Sequence, residues 1–388
     1  MKKRLLSLLL ALVLAVSLAA PALAAGEKDE DYYYFTDRNG NEMMAPKDAF
    51  AVQVVDFTPG DPWTSKEANQ DPAVTLGLPD YGGETSGADL CLGKGGVLTL
   101  RFDVAIYDGD GLDIYVFEVG PDVESTTVEV SADRKTWYEV GVTQGKTAGV
   151  DLAGKVPEGA EFRYVRLTDT GNNGNYSSWP GADIDAVSGL NAKAVMSDWF
   201  KDEKKDLPPI IPEILVDEDL TKPITRLEFA AVCVKVYEHL TNGTALPAVV
   251  NPFTDTNYPE VLKAYNAGIT VGTSATTFSP NALLDREQCA TMLTRTFKRC
   301  TMPGWSMDTD SQYKLDYAMP APFADDAQIS SWAKDSVYFM AANKIINGMG
   351  NNRFVPRNTT SEQQAKGYAN ATREQALAIA MRMVKNLG

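Results

Sequence analysis

"PFTDTNYPEVLKAYNAGITVGTSATTFSPNALLDRE", Pro252 to Glu287, is followed later in the chain by a second copy of its pattern, "PFADDAQISSWAKDSVYFMAANKIINGMGNNRFVPRN", Pro322 to Asn358. Both run Phe-x-Asp, a helix-like stretch, a Gly or Asn turn, an apolar pair, Gly and then Phe-x-Pro. Both lead into an Arg-Glu pair, Arg286-Glu287 in the first and Arg373-Glu374 in the second. Phe278 precedes Arg286 by eight residues and Phe354 precedes Arg373 by nineteen, so the second copy holds an eleven-residue insertion within "TTSEQQAKGYAN", Thr359 to Asn370. A unit recurring at this scale cannot bury its own apolar face and reads as a stacked repeat.

The Arg-Glu pairs open helices. In "ITRLEFAAVCVKVYEHL", Ile224 to Leu240, the residues Phe229, Val232, Cys233, Val236 and Leu240 form one helical stripe. Thr225 is placed to cap that helix, with Glu228 three residues on as its capping-box partner. "LLDREQCATMLTRTF" and "NATREQALAIAMRMV" repeat the arrangement.

Residues 50 to 190 have a different character, rich in Gly, Asp, Val, Thr and aromatics. "FAVQVVDF", "GGVLTLRFDVAI", "LDIYVFEV", "TTVEVSAD", "TWYEVGV" and "FRYVRLTD" have strand length and strand alternation. "TPGDP", "GKGG", "DGDG", "SADRKT" and "GNNGN" supply the turns between them. Many strands with no helix between them point to an antiparallel sandwich or jelly roll. The expected fold is therefore multidomain: an all-β jelly-roll sandwich over 50–192, then an all-α repeat domain.

Two resemblances follow from these motifs. Phe-x-Asp, the mid-repeat Gly, Phe-x-Pro and the Arg-Glu helix start resemble the S-layer homology family, whose signature is Thr-Arg-Ala-Glu. Three units are implied, at 195–242, 250–300 and 321–387; the first lacks a clear Phe-x-Pro, and the second has Asp285 in place of Thr. "VEVSADRKTWYEVG", Val128 to Gly141, and "RYVRLTD", Arg163 to Asp169, resemble the galactose-binding-like sandwich of discoidin-type and carbohydrate-binding modules. "LGLPD", "DGDGLDIYVFE" and "GADIDAV" extend that likeness to a bacterial cell-surface subgroup.

The first resemblance implies non-covalent anchoring to secondary polysaccharide of the cell wall, often pyruvylated, through grooves between units. The residues matched to the signature are Thr225, Arg226 and Glu228; Arg286 and Glu287; and Thr372, Arg373 and Glu374. A guanidinium at a helix N-terminus suits a ketal carboxylate, with bidentate geometry and a favourable dipole. The same pairs would equally serve to cap helices and tether neighbouring units.

Composition bounds the rest. "MKKRLLSLLLALVLAVSLAAPALAAG" has basic residues, an apolar core and Ala22-Leu23-Ala24, the order of a secretory leader over residues 1–25, with 26–49 as a linker. With Lys2, Lys3 and Arg4 removed from the 36 basic residues, 33 remain against 52 acidic ones, a formal charge of −19. No basic run suits nucleic acid. No later stretch has the roughly 20 apolar residues of a membrane span. These features point to an exported protein; the S-layer homology resemblance implies that it sits on the surface of a Gram-positive-type bacterium. Cys91, Cys233, Cys289 and Cys300 are too few for a disulfide scaffold; Cys289 and Cys300, about 16 Å apart by helical rise, could not bridge.

"DGDGLDIYVFEVG", Asp108 to Gly120, raises the question of a metal. Counted from Asp108, the ligand positions of an EF-hand fall on Asp108, Asp110, Leu112, Asp113 and Val119, so that reading fails. Alternation places Asp113 with Tyr115 and Phe117, and Glu118 with Ile114 and Val116. Both faces are apolar, and a buried carboxylate needs a partner or a metal. The expected site is Ca²⁺ held by some of Asp108, Asp110, Asp113 and, from "GADIDAV", Asp183 and Asp185, with Glu118 as an outer candidate; the alternative is that these aspartates form turns and cap strands. Tyr176 and Trp179 are either glycan contacts or closing residues of the sandwich.

Catalysis has little support: the only histidine is His239, and no Ser, His and Asp set assembles around it. The sandwich is expected to meet a glycan or a protein surface. A structural subunit of the surface layer and a carbohydrate-active enzyme with paired carboxylates are the other two readings.

Overall fold

The structure, a computed structural model, describes residues 29–82, 89–120, 123–172 and 178–388. The leader-like residues 1–25 and Tyr176 lie outside them.

The chain opens with a hairpin, β1 (Tyr32–Thr36) and β2 (Glu42–Pro46), where a linker over 26–49 was expected. Its register puts Tyr33 and Phe35 on one face. There they meet Phe50, Tyr115 and Phe117, with Phe35 4.7 Å from Tyr115 and 4.8 Å from Phe117 between ring centroids. Burial of such rings drives the docking.

The sandwich consists of two antiparallel sheets. In the larger, β5 (Val97–Tyr107) pairs with β10 (Glu161–Asp169) on one side, and β10 continues to β7 (Val123–Ser131) and β8 (Tyr138–Gly145). The other edge of β5 takes β3 (Gln53–Thr58) near one end and β12 (Ala192–Ala194) near the other. The smaller sheet runs β4 (Leu90–Cys91), β11 (Asp183–Gly189), β6 (Ile114–Glu118), β9 (Gly149–Val150). Leu98, Leu100 and Phe102 of β5, Val128 and Val130 of β7 and Val165 and Leu167 of β10 face Ile114, Val116, Ile184 and Val187 of the smaller sheet. The hairpin covers the outer face of β6, so that strand is apolar on both sides.

After the short α1 (Asp198–Glu203) the chain is helical, with α2 (Arg226–Thr241), α3 (Pro259–Asn266), α4 (Arg286–Thr301), α5 (Lys334–Ala342), α6 (Ser361–Lys366) and α7 (Arg373–Leu387). Phe229, Val232, Cys233 and Val236 of α2 are buried as the stripe requires. The insertion in the last unit forms α6, capped by Thr360 and ended by Gly367 in the left-handed region.

Helices α2, α4 and α7 begin around a common centre, and this part of the chain is not purely helical. The Ile224 amide donates to Ala371 O (2.8 Å), the Ala371 amide to Leu284 O (3.0 Å) and the Leu284 amide to Ile224 O (3.2 Å), closing a ring of backbone hydrogen bonds. Outside it Arg226 N donates to Ala282 O, Arg286 N to Ala369 O and Arg373 N to Lys222 O. Thr225, Asp285 and Thr372 each cap the following helix with a full capping box, completed by Glu228, Gln288 and Gln375.

The sandwich meets the helical part through residues 216–217. Arg163 Nη1 and Arg101 Nη2 both donate to Val216 O, at 3.0 and 3.1 Å, and Tyr164 Oη donates to Asp217. Cys91, Cys233 and Cys289 are buried and all four cysteines are free.

Loss of a cap hydroxyl should cost about 1 kcal/mol. Thr225→Ala and Thr372→Ala are each expected to lower unfolding stability by that amount in urea titrations followed by circular dichroism.

Candidate functional site

The three arginines at the helix starts are spent on the protein itself. Arg226 lies over the Phe278 ring, 4.8 Å from its centroid, and donates to Val271 O (2.6 Å) and Thr270 Oγ1 (3.2 Å). Arg286 repeats this against the next unit, 5.1 Å from the Phe354 centroid and donating to Phe354 O and Asn347 O, each at 2.8 Å. Burial lowers both guanidinium pKa values, that of Arg286 to about 10, so both stay charged at neutral pH. Phe-x-Pro and the residues after the mid-repeat Gly or Asn turn thus form a receptacle for the arginine of the preceding unit.

Arg373 differs. It donates to Glu228 (2.6 Å) and Asp219 O (3.0 Å) and pairs with Glu218 at 3.0 Å. Burial works against its charge, but Glu228 and Glu218 hold its pKa above the ordinary value. Leu220 O accepts the Glu374 amide just as Pro280 O accepts that of Leu227 and Pro356 O that of Glu287. Glu218 therefore stands where the other units have phenylalanine.

Helix position separates the glutamates that the signature had grouped. Glu228 is the third residue of its helix and closes a capping box; Glu287 and Glu374 are second residues, and Gln288 and Gln375 take the capping role. Glu287 accepts from Ser330 N (2.8 Å) and Ser330 Oγ (2.7 Å), and Glu374 from Ser197 N and Oγ, both at 2.8 Å. Both are buried ties between units. The Asp of Phe-x-Asp makes a comparable tie within its own unit, since Asp255 accepts from Phe278 N and Ser279 N, and Asp325 from Phe354 N and Val355 N. Those bonds hold Ser279 and Val355 at φ 59° and 57°, a region that non-glycine residues rarely occupy.

Between the second and third units lies a polar cleft of ≈ 430 Å³, lined by Leu283, Asp285, Gln288, Arg357, Asn358, Gln364 and Asn370. Arg357 is half exposed, and its Nε donates to Gln328 O (3.2 Å). Burial pushes Asp285 up to about 6, against the Gln288 amide that it accepts from. Of the signature-matched positions only the second unit's cap residue reaches this cleft. The sequence signal for the remainder was the insertion itself, because Gln364 belongs to α6 and Asn358 and Asn370 flank it.

The expected Ca²⁺ set is divided by strand direction. β6 and β11 are antiparallel with Ile114 opposite Gly189 and Glu118 opposite Ile184, so Asp113 lies at one end of the pair and Asp183 at the other. Five residues of strand, about 17 Å, separate them, and the expectation that "DGDG" recruits "DID" is corrected. At the first end Asp108 and Asp113 are joined by Asp151, which sequence reasoning missed; one oxygen of each lies within 4.8 Å of the others. Asp113 is fully buried, its Oδ1 accepting from Gly109 N (2.9 Å) and Asn191 Nδ2 (2.8 Å) and its Oδ2 from Leu152 N (2.7 Å). Asp110 is exposed in the turn.

At the other end burial pushes Glu118 up to about 9, Glu124 to about 8, Asp183 to about 7 and Asp185 to about 6. Asp185 accepts from Asp80 N and Tyr81 N. Trp179 is partly buried, with the Lys66 ammonium 3.3 Å from its ring centroid, so its indole face already has a partner.

Comparison with known proteins bears on the second and third units. Residues 251–290 and 322–366 match the S-layer homology domain. An endoglucanase of Bacillus sp. (strain KSM-635) is 30% identical over 152 residues, 38% of this chain and 14% of that protein. The exoglucanase XynX of Acetivibrio thermocellus is 28% identical over 194 residues, 46% of this chain and 16% of that protein. The chain thus spans 16% or less of the length of these curated relatives. A solved CBM32-3 from a family 31 glycoside hydrolase of Clostridium perfringens aligns with 37% of this chain and 94% of its own, at 18% identity and a TM-score of 0.21, too loose a superposition to support an argument. The S-layer homology units associate the chain with the bacterial cell surface. Among the described residues no helix is long and apolar enough to cross a membrane.

Removing the Glu287 carboxylate leaves Ser330 N and Oγ without their acceptor. Glu287→Ala should destabilise the protein by about 2 kcal/mol, read from chemical denaturation, whereas a residue serving only to bind glycan would leave the unfolding midpoint unchanged.

Proposed function

We propose that this chain is a secreted, non-catalytic surface protein of a Gram-positive-type bacterium, held non-covalently on secondary cell-wall polysaccharide by its S-layer homology units. The sandwich is then the displayed part, for adhesion or for binding a glycan. The observation that carries the reading is the cleft between the second and third units. It offers amide and carboxylate side chains from Asp285, Gln288, Asn358, Gln364 and Asn370, an exposed apolar edge at Leu283 and one half-exposed guanidinium at Arg357.

That combination suits a polysaccharide carrying an acidic substituent such as a pyruvyl ketal. Among the described residues the terminal nitrogens of Arg357 make no hydrogen bond, so its planar fork is available for bidentate pairing with a carboxylate. In a protein with formal charge −16, such a local cation decides where an anionic polymer is accepted.

The test is sedimentation with purified cell walls, before and after the secondary polysaccharide is removed. Retention should depend on the polysaccharide, and Arg357→Ala should weaken it at least about tenfold, roughly 1.4 kcal/mol, with unchanged melting. Retention on stripped walls, or an Arg357→Ala protein that binds as the parent does, would refute the reading. Turnover of a glycan panel by the purified chain would replace display with catalysis.

A further inference from the structure

We propose that Asp285 sets the specificity of the cleft between the second and third units: it competes with an acidic substituent of the wall polymer for Arg357, so the cleft grips an anionic polysaccharide more tightly once Asp285 has taken up a proton. The inference rests on the wall-anchoring reading and adds to it a dependence on pH.

Asp285 stands where the other two units have Thr225 and Thr372, whose hydroxyls carry no charge. All three residues cap a helix, but only Asp285 brings a carboxylate to the task. The side chain is partly buried in the wall of the cleft that Arg357 also lines. Its capping bond takes one oxygen, Oδ1 accepting from Gln288 N (2.9 Å), and leaves Oδ2 for a proton. Protonation therefore keeps the helix start intact.

Burial is the largest influence on this carboxyl, raising it to about 6 against the Gln288 amide; Glu287 on the same helix adds to the rise, and Arg357 of the third unit opposes it. Arg286 is turned into the Phe354 ring, and on α6 Glu362 and Lys366 pair with each other at 2.7 Å. Glu287 is held by Ser330 N and Oγ, a tie that Asp285 does not share. Among the described residues the carboxylate nearest Arg357 is that of Glu287, at 3.9 Å, so Asp285 acts on the guanidinium through the cleft and not by a direct ion pair.

An acidic substituent seated on Arg357 shares the cleft with Asp285. A negative charge there repels the substituent and offsets part of the attraction of the guanidinium. By linkage, the bound anion favours the protonated Asp285, and a proton on Asp285 raises affinity for the anion by the same factor. An ordinary carboxylate on the polymer stays ionised down to about pH 5, so the group that titrates above that is Asp285. It is neutral below about 6 and charged above, so affinity is full at the lower pH and is lost as pH rises through that value.

The experiment is sedimentation of the full chain with purified walls, intact and stripped of polysaccharide, at about pH 5 and about pH 7.5 and constant ionic strength, for the parent, D285N and D285T. Asn and Thr both cap helices, so each variant removes the charge and keeps the helix start. The parent should bind at least about fivefold more weakly at the higher pH. D285N and D285T should bind equally at both, as tightly as the parent does at the lower. Polysaccharide-dependent retention that is the same at both pH values in the parent overturns this inference and leaves wall anchoring standing, as does a D285N protein that keeps the parent's pH profile. Retention that is independent of the polysaccharide at either pH overturns both. Should D285N fail to fold, a parental pH profile in D285T is enough to overturn the inference.

Discussion

The helical half depends on a closed ring of backbone hydrogen bonds through Ile224, Leu284 and Ala371. Each of these residues immediately precedes a helix cap, so the ring fixes where α2, α4 and α7 start and how they splay. A ring of this kind is cooperative in geometry: an amide can be satisfied at the buried centre only if the other two units are in place. It also explains why a lone unit would gain little by folding, since its cap segment would keep unpaired amides and its apolar stripe would lack a facing helix. The arginines then lock neighbours together from outside, each reaching into the next unit.

The sandwich depends on a different constraint, the alternation of side chains along paired strands. Once β6 is fixed between β9 and β11, Ile114 and Val116 must point inward and Tyr115 and Phe117 outward. The outward pair needs a cover, which the Tyr33 and Phe35 face of the hairpin provides. The same alternation turns Glu118 inward at the strand's end, where apolar packing gives way to carboxylates. Charge and aromatic packing on this short strand thus follow from one register.

The repeats, the strands and the first capping box were legible in the sequence, because each rests on local periodicity or on a fixed offset from a helix start. Thr225 with Glu228 is such a case. The hairpin was not legible: "YYYFT" and "EMMAP" gain their meaning from Phe50 and Phe117, distant in sequence. Nor was the division of the acidic residues, since residue spacing cannot say whether Asp113 and Asp183 end up at the same end of a strand pair. Antiparallel pairing puts them at opposite ends. The cleft was half legible, as an insertion that breaks an otherwise faithful repeat. Its lining could not be read, because side chains on one loop converge with a cap residue only after the units have stacked.

Departures from the repeat are where the three junctions acquire different work. Two of them bury an arginine against phenylalanine; the third replaces that ring with Glu218 and becomes an ion-paired seal around Arg373. The neighbouring residues account for the replacement. Val216 O takes both Arg101 and Arg163 of the sandwich, Asp217 takes Tyr164, and Glu218 and Asp219 O take Arg373 of the last unit. A segment clasped from both sides by cations is acidic, and a Phe-x-Pro turn could not meet that demand. The first unit is therefore degenerate at the place where it serves as the joint between display domain and repeats. Because its neighbours keep Phe-x-Pro, the open polar cleft is left to the junction that carries the insertion.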